Sequence, residues 1–531
     1  MSPLPRTALA LVLAAYLLPL AVPVPLMEDD EGLHAAIAME MVERGDWTVP
    51  RLQTEPFLDK PILYFWMEAA SLATFGPSEF AVRLPGTLMA LAGVAATGWL
   101  GAAMFGTAAG QWAALCYATM LLPYAVSLAP LHDLVMVPLV VVALGAFWRA
   151  SAAATGAALA RWTVVAGVAL GLSMLGKGLT GVGLVGVGMA TWLVWRRALS
   201  WRLVLCGAAA LVIGAAIAWP WYAAMERASP GYLHYFFMER HVQGVTDDTQ
   251  RHAGRPFWYY VPIVLAGGWP WLLAAWPRRR GAASDAERLL WSWFLADLVL
   301  LSLAGSKLAT YLLPALPAVA LLAGRSLATD VADGLPTRRW MRVAEVVLAI
   351  LPVVGVAVLW WQGPATPSLL SAALALLPIA AWTAFNGVLR GTTTGPDRLL
   401  IVTAAALVAI TLAVRPLVAE GLTARDLARH FNDSGVLPSH VWIVDEGVGS
   451  FVFYLRPELR QALVTGQVRR ISRYSTPDVL GGPPDDVLAI AGDRLAGLAE
   501  ILDLHAVAAP RAGEFVVLPL GTLRLRSPAG Q

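Results

Sequence analysis

Long apolar runs separated by short polar breaks make up most of the chain. Runs near the ~20 residues needed to cross a hydrocarbon core begin near residues 7, 81, 108, 133, 162, 178, 203, 257, 289, 307, 343, 368 and 398, which predicts about thirteen spanning helices. Only Gly176-Lys177-Gly178 divides the fifth from the sixth, and only Gly305-Ser306-Lys307 divides the ninth from the tenth. Breaks this tight also suit interrupted helices. A β-barrel would show short alternating segments instead. The first run, from about Thr7 to Leu26, is long for a signal-peptide core and lacks a small-residue cleavage end, so it reads as an uncleaved span.

Two stretches depart from this pattern. The first, residues 27 to 80, is a polar loop holding Glu28-Asp29-Asp30-Glu31 and Asp59-Lys60-Pro61. It predicts two amphipathic helices: Leu33 to Arg44, and Pro61 to Phe75 with proline in the first turn. Such segments lie in the membrane interface and would rim a cavity open to lipid. The second departure begins near Arg415. Thr423 to Phe431 reads as a helix; Val441–Val444, Phe451–Leu455, Val487–Ile490 and Phe515–Leu518 read as short strands. The expected architecture is therefore an α-helical polytopic membrane protein: a transmembrane domain over residues 1–414 that carries the amphipathic helices, then a soluble α/β domain over 415–531. No Gly-rich phosphate loop or catalytic pairing is visible in that last domain, which suits a structural or acceptor-docking part.

Composition supports the class. Of 531 residues 58% are hydrophobic and 14% charged, against about 25% charged in ordinary soluble proteins. Cys116 and Cys206 both lie in apolar runs, which leaves no disulfide framework. A net charge of +2 gives no basis for a nucleic-acid partner. Basic residues set the orientation. With the N-terminus inside, Arg149, Arg161, Arg196, Arg197, Arg202, Arg278, Arg279, Arg280, Arg288, Arg325, Arg338, Arg339, Arg342, Arg390 and Arg398 fall on the inner side. The 27–80 loop, residues 225 to 256 and the C-terminal region then lie outside.

Lysine usage points to the chemistry. Only three of the 38 basic residues are lysine: Lys60, Lys177 and Lys307. All three map to outer loops or helix ends, and a compact ammonium suits a phosphate. A small number in polar loops could also arise without function. Asp30 and Glu31 follow the first span, where a carboxylate can act as general base; a solvated acidic run is the plain alternative. Asp133, after His132 at the start of the fourth span, is a second acidic candidate or a helix cap. Arg255, in Arg255-Pro256-Phe257-Trp258-Tyr259-Tyr260, could hold phosphate, while its aromatic neighbours suit an interfacial belt. Asp59 with His241 and His252 offers N and O donors for a divalent metal, Zn or Mg, although no spacing here is a metal signature.

Taken in order, Asp30-Glu31, Asp59-Lys60-Pro61, Leu131-His132-Asp133, Gly176-Lys177-Gly178-Leu179, Arg255-Pro256-Phe257-Trp258-Tyr259-Tyr260 and Ser306-Lys307-Leu308-Ala309-Thr310-Tyr311-Leu312-Leu313-Pro314 resemble the bacterial lipid-A aminoarabinose transferase (ArnT-like) branch of the GT-C membrane glycosyltransferases, related to protein O-mannosyltransferases. The resemblance covers about residues 1 to 415 and, more loosely, the tail. It implies an inverting glycosyltransferase of the bacterial inner membrane, working at the outer face. The donor would be a sugar on undecaprenyl or another polyprenyl phosphate, and the acceptor a lipid A-type glycolipid or a protein. By the same resemblance Asp30 is the catalytic carboxylate with Glu31 beside it, and Asp133 a second acidic site residue. Lys60 and Arg255 would hold the lipid phosphate, with Lys177, Lys307, Tyr311 and Tyr64 as further contacts. Two positions depart from the family pattern. Gly32-Leu33-His34 follows the acidic pair where Arg-Tyr is more usual, and Asp59 stands where glutamate is frequent.

A multi-spanning lipid or sugar transporter or flippase is the alternative. It would place ionisable residues near the midplane and often shows inverted repeats. Asp297 is the one clear mid-span carboxylate, and no internal repeat is visible.

Overall fold

The computed structural model describes residues 6–197, 200–243, 254–276, 283–362, 369–387, 395–504 and 510–526. The chain forms two compact units. One comprises Met1–Val22, Leu58–Tyr64 and Arg83–Arg415; the other comprises Pro23–Phe57, Phe65–Val82 and Pro416–Gln531.

The first unit is a multi-span helical bundle, and the chain is a multi-span membrane protein. Among the described residues seven helices are long and apolar enough to cross a bilayer, and four shorter apolar helices accompany them. Every span start expected from hydropathy lies in a helical segment or within two residues of one. Several of these segments are built in pieces. Thr107–Ala118 is followed by Leu121–Ser127, Tyr260–Gly267 by Trp271–Ala275, and Leu369–Ala375 by Leu377–Gly387. Pro123, Pro262, Pro270 and Pro378 lie in these stretches, and proline removes a helix donor and crowds the preceding turn.

The helix pair that carries the site follows from simple geometry. Asp133–Ser151 and Gly156–Lys177 have 19 and 22 residues and are joined by residues 152–155. A connection this short makes the two helices antiparallel neighbours. At about 1.5 Å per residue, the start of the first then meets the end of the second. The second helix is caged from its other side. A side chain at Gly171 would collide with Gly214 and Ile217 of the Trp201–Ala228 helix, so the two backbones approach closely where only glycine fits. Thr155 caps its start by accepting from Ala158 N at 3.2 Å. Gly178, at φ +62°, turns the chain away after Lys177.

The second unit is organised on a five-stranded sheet. The strand order is Val468–Ile471, Val441–Val444, Val487–Ala491, Phe515–Pro519, Arg511–Ala512. The first three strands are parallel, with Val441 opposite both Val468 and Val487, and the last two run antiparallel. Val487–Ala491 is buried at every position, as a central strand covered on both faces should be. The edge strand Val468–Ile471 is paired by a side chain. Gln53 donates to Val468 O at 2.7 Å and accepts from Val468 N at 2.9 Å, extending the ladder with its amide.

The run Phe451–Leu455 is not a strand. It lies in the helix Gly449–Tyr454, buried from Gly449 to Phe453. Short apolar runs do not reveal their period, and packing decides this one. The helix Asp30–Arg44 lies against it so closely that a Cβ at Gly32 would enter the Ser450 backbone, and one at Gly449 would enter that of Leu33. Ser450 Oγ accepts from Ala424 N at 2.9 Å, and Arg460 reaches Glu43 at 2.6 Å.

Candidate active site

Asp133 and Lys177, at the meeting ends of the antiparallel helix pair, form an ion pair. Their side chains are only 13% and 12% exposed. Asp133 stands in the first turn of its helix and Lys177 in the last turn of the other, so each also complements the helix dipole at its position. Lys177 Nζ lies 4.1 Å from the ring centroid of Tyr311, in cation–π geometry. Tyr311 belongs to the short 3₁₀ segment Ala309–Ala315. Lys60 joins this group, because its charge acts on both Asp133 and Tyr311. Half-buried Lys60 has no hydrogen-bond or ion-pair partner among the described residues. Tyr64, four residues further on at the start of the helix Leu63–Phe75, is fully buried with its ring 5.0 Å from that of His132.

A second cluster stands next to Lys60 in the chain. Asp59 accepts from the Tyr235 hydroxyl and from Arg240 Nε, the latter at 3.0 Å, and pairs with the other side of the Arg240 guanidinium through its second oxygen. Tyr235 and Arg240 belong to the π-helical segment Tyr235–Gln243. Burial, then the bond to Asp59 and its negative charge, push the Tyr235 hydroxyl up to about 12. Burial alone would lower Arg240, yet its bonds to Asp59 and that carboxylate's charge outweigh it and leave the guanidinium above its ordinary value. The charge of Arg240 also reaches Tyr311. Tyr235 and Arg240 carry no signal in the sequence, because a π-helical segment has no marked period there.

Arg255 donates to the hydroxyl of Tyr259 and lies 4.7 Å from that ring's centroid. Tyr259 meets Tyr260 edge to face at 5.1 Å, and Tyr260 is coupled electrostatically to both Tyr311 and Asp133. A line of tyrosines thus runs from Arg255 to the lysine group. Lys307 is spent differently. It is buried, and its ammonium donates to Ala304 O at 2.5 Å, closing the helix Asp285–Leu303.

Asp30 and Glu31 belong to the other unit. Asp30 is exposed in the first helical turn, while Glu31 is buried and accepts from Met27 N at 2.8 Å. Glu68, also in that unit, is fully buried, and neither carboxylate oxygen has a hydrogen-bond partner among the described residues. Burial first, then the charge of Glu31, raise its carboxyl well above the ordinary range. A lone carboxylate within Leu63–Phe75 was the available signal for it.

For the metal reading, Asp59 has both oxygens engaged by Arg240 and Tyr235. The His241 side chain and all of His252 lie outside the described residues. Among the described residues no three of His, Cys, Asp and Glu converge as a metal site.

Comparison with known proteins agrees with this picture. Residues 59–223 match the family described as dolichyl-phosphate-mannose-protein mannosyltransferase. The undecaprenyl phosphate-alpha-4-amino-4-deoxy-L-arabinose arabinosyl transferase of Erwinia tasmaniensis is 31% identical over 356 residues, which cover 65% of this chain and 64% of that protein. A Proteus mirabilis protein of the same name, numbered 2, is 31% identical over 306 residues, 56% and 54% of the two chains. The chain therefore spans less than two thirds of the length of these relatives. The crystal structure of ArnT from Cupriavidus metallidurans bound to undecaprenyl phosphate has a TM-score of 0.75 at 22% identity, covering 96% of this chain and 97% of that one. The fold is shared along nearly the whole length.

Proposed function

We propose that this chain, an ArnT-like member of the protein O-mannosyltransferase-related GT-C family, is an inverting glycosyltransferase that moves a sugar from a polyprenyl-phosphate donor to an envelope acceptor. The observation that carries the reading is the grouping of Lys60 and Lys177 at Tyr311 and Asp133, with Lys60 unpartnered among the described residues. A partly buried ammonium that makes no hydrogen bond or ion pair of its own is costly to maintain unless an anion occupies the place beside it. A lipid phosphate is such an anion. The relatives' names, with undecaprenyl phosphate as carrier and aminoarabinose as sugar, support the same chemistry.

In the reaction the acceptor hydroxyl attacks the anomeric carbon from the face opposite the phosphate. The bond from that carbon to the phosphate oxygen breaks, and its electron pair leaves on the lipid phosphate. Configuration inverts because one displacement occurs. Lys60, Lys177 and Arg255 stabilise the charge that develops on the leaving phosphate. Lys177 stays fixed by Asp133 and Tyr311, so its ammonium needs no rearrangement during the reaction. The acceptor's proton goes to a carboxylate, a role that the family resemblance assigns to Asp30. Glu31 fixes the turn that presents it by holding Met27 N. Tyr64 supports His132, beside Asp133, and Lys307 has a structural role at Ala304. No step is routed through a metal.

The acceptor is proposed as a lipid A-type glycolipid. The site and the 416–531 region are proposed to face the outside of the bacterial inner membrane, as the arginine distribution indicates. Incubating the purified full chain with undecaprenyl-phosphate aminoarabinose and lipid A, with mass spectrometry of the lipids, tests the reading. Lipid A heavier by one aminopentose is expected. Unmodified lipid A with intact donor would remove both the donor and the acceptor assignment; donor turnover with another acceptor would remove only the latter.

A further inference from the structure

The carboxylate that precedes Lys60 in the chain binds a guanidinium whose charge reaches the same tyrosine as Lys60 and Lys177. We propose that Arg240 is an additional cation for the lipid phosphate, stored on Asp59 and handed to the phosphate when lipid occupies the site. The proposal rests on the donor reading above and adds a residue that neither the sequence motifs nor the relatives assign.

Charge counting supports the exchange. Lys60, Lys177, Arg240 and Arg255 stand against Asp59 and Asp133, which leaves two net positive charges. A phosphodiester donor carries a single negative charge. Transfer converts it to a phosphomonoester, whose charge at neutral pH is about −1.5 to −2. The product thus concentrates more negative charge on the phosphate at the moment the bond breaks. Arg240 can meet that charge directly by changing partner, with the net charge of the site unchanged. A guanidinium binds phosphate in the same two-point manner in which Arg240 now binds Asp59.

Asp59 is not abandoned when Arg240 leaves. The Tyr235 hydroxyl, which stays protonated throughout the physiological range, continues to donate to it. The segment that carries both residues is π-helical. Such geometry is rare and occurs frequently at functional sites, and here it brings Tyr235 and Arg240, five residues apart, onto one carboxylate.

Equilibrium binding of undecaprenyl phosphate to the full chain in nanodiscs tests the exchange. Arg240→Gln should weaken binding by about tenfold to a hundredfold, the range of a lost charge-assisted hydrogen bond, and Arg240→Lys should recover part of the loss. Asp59→Asn should tighten binding when Arg240 is present and bring no gain in the Arg240→Gln background. An Asp59→Asn gain that persists without Arg240 would show simple charge relief and overturn the exchange. Equal weakening by Asp59→Asn and Arg240→Gln would show a structural clasp and overturn it as well. Lys60→Ala separates the two levels. If it loses binding while Arg240→Gln binds normally, the phosphate site stands and the Arg240 role falls. If both bind normally, the phosphate site itself falls.

Discussion

Lys177 is paired with Asp133 through its ammonium while that same ammonium lies 4.1 Å above the ring of Tyr311. Two largely buried side chains of opposite charge meet here because two antiparallel helices end together. Breaking such a pair from one side leaves a charge without its partner, at about 3–5 kcal/mol. Lys177→Ala should therefore lower the melting temperature of the purified protein and abolish transfer. Asp133→Asn combined with Lys177→Gln should restore most of the melting temperature and none of the transfer. Recovery of activity in that double variant would show that the pair serves stability alone.

Lys60 has a different signature. It makes no hydrogen bond or ion pair to lose among the described residues, so Lys60→Ala should leave the unfolding free energy within about 0.5 kcal/mol of the parent, as for a substitution that touches no packed feature. The KM for donor should rise by at least tenfold, the loss of about 1.4 kcal/mol of binding. Lys60→Arg should lie between. A variant with unchanged KM would take Lys60 away from the phosphate.

Glycine contact in the second unit predicts a steric effect. Gly449→Val would place a branched side chain into the Leu33 backbone. Overpacking of this kind costs about 1–3 kcal/mol or more, so limited proteolysis should cleave the 416–531 region earlier than in the parent. Val452→Ala, in the same helix, removes volume instead and serves as the comparison. Equal protease resistance of Gly449→Val and parent would show that the two helices can separate freely.

Glu28 gives the second unit a pH dependence. Burial is the largest cause, with the neighbouring Asp29 and Glu446 adding to it and hydrogen bonds from Ser450 opposing it; together they raise its carboxyl to about 7. The ordinary value is 4.5. Below that value folded and unfolded chains both hold the proton. Between 4.5 and about 7 only the folded chain holds it, so stability falls as pH rises through this window and levels off above it. Melting curves from pH 4.5 to 8 should show the fall, and Glu28→Gln should flatten it. A slope unchanged in Glu28→Gln would assign the effect to other groups, Glu446 first.

Much of the fold was legible because hydropathy has a long period in membrane helices. The antiparallel pairing of Asp133 with Lys177 was also within reach, since a four-residue connection between two helices of known length brings those ends together. Lys177 stands out in the sequence as one of three lysines, whereas Asp133 reads as a candidate carboxylate or a cap. Other features needed the tertiary structure. Phe451 to Leu455 reads as a strand by composition, and the close approach of Gly32 to Gly449 makes it a helix. Lys307 shares the motif features of the other two lysines, yet among the described residues its ammonium donates to Ala304 in its own turn. Arg240 and Tyr235 sit in a π-helical segment, which has no sequence period to detect. Glu31 and Asp30 look alike in sequence, and only burial tells them apart.

The most direct measurement is donor turnover by the purified chain in liposomes holding undecaprenyl-phosphate aminoarabinose and an outer-membrane glycolipid extract, followed by mass spectrometry of both lipids. Free undecaprenyl phosphate should appear in step with aminopentose-modified glycolipid, and Lys60→Ala and Asp30→Asn should each suppress both products. Donor that stays chemically intact while crossing to the other leaflet would contradict transfer and identify transport instead.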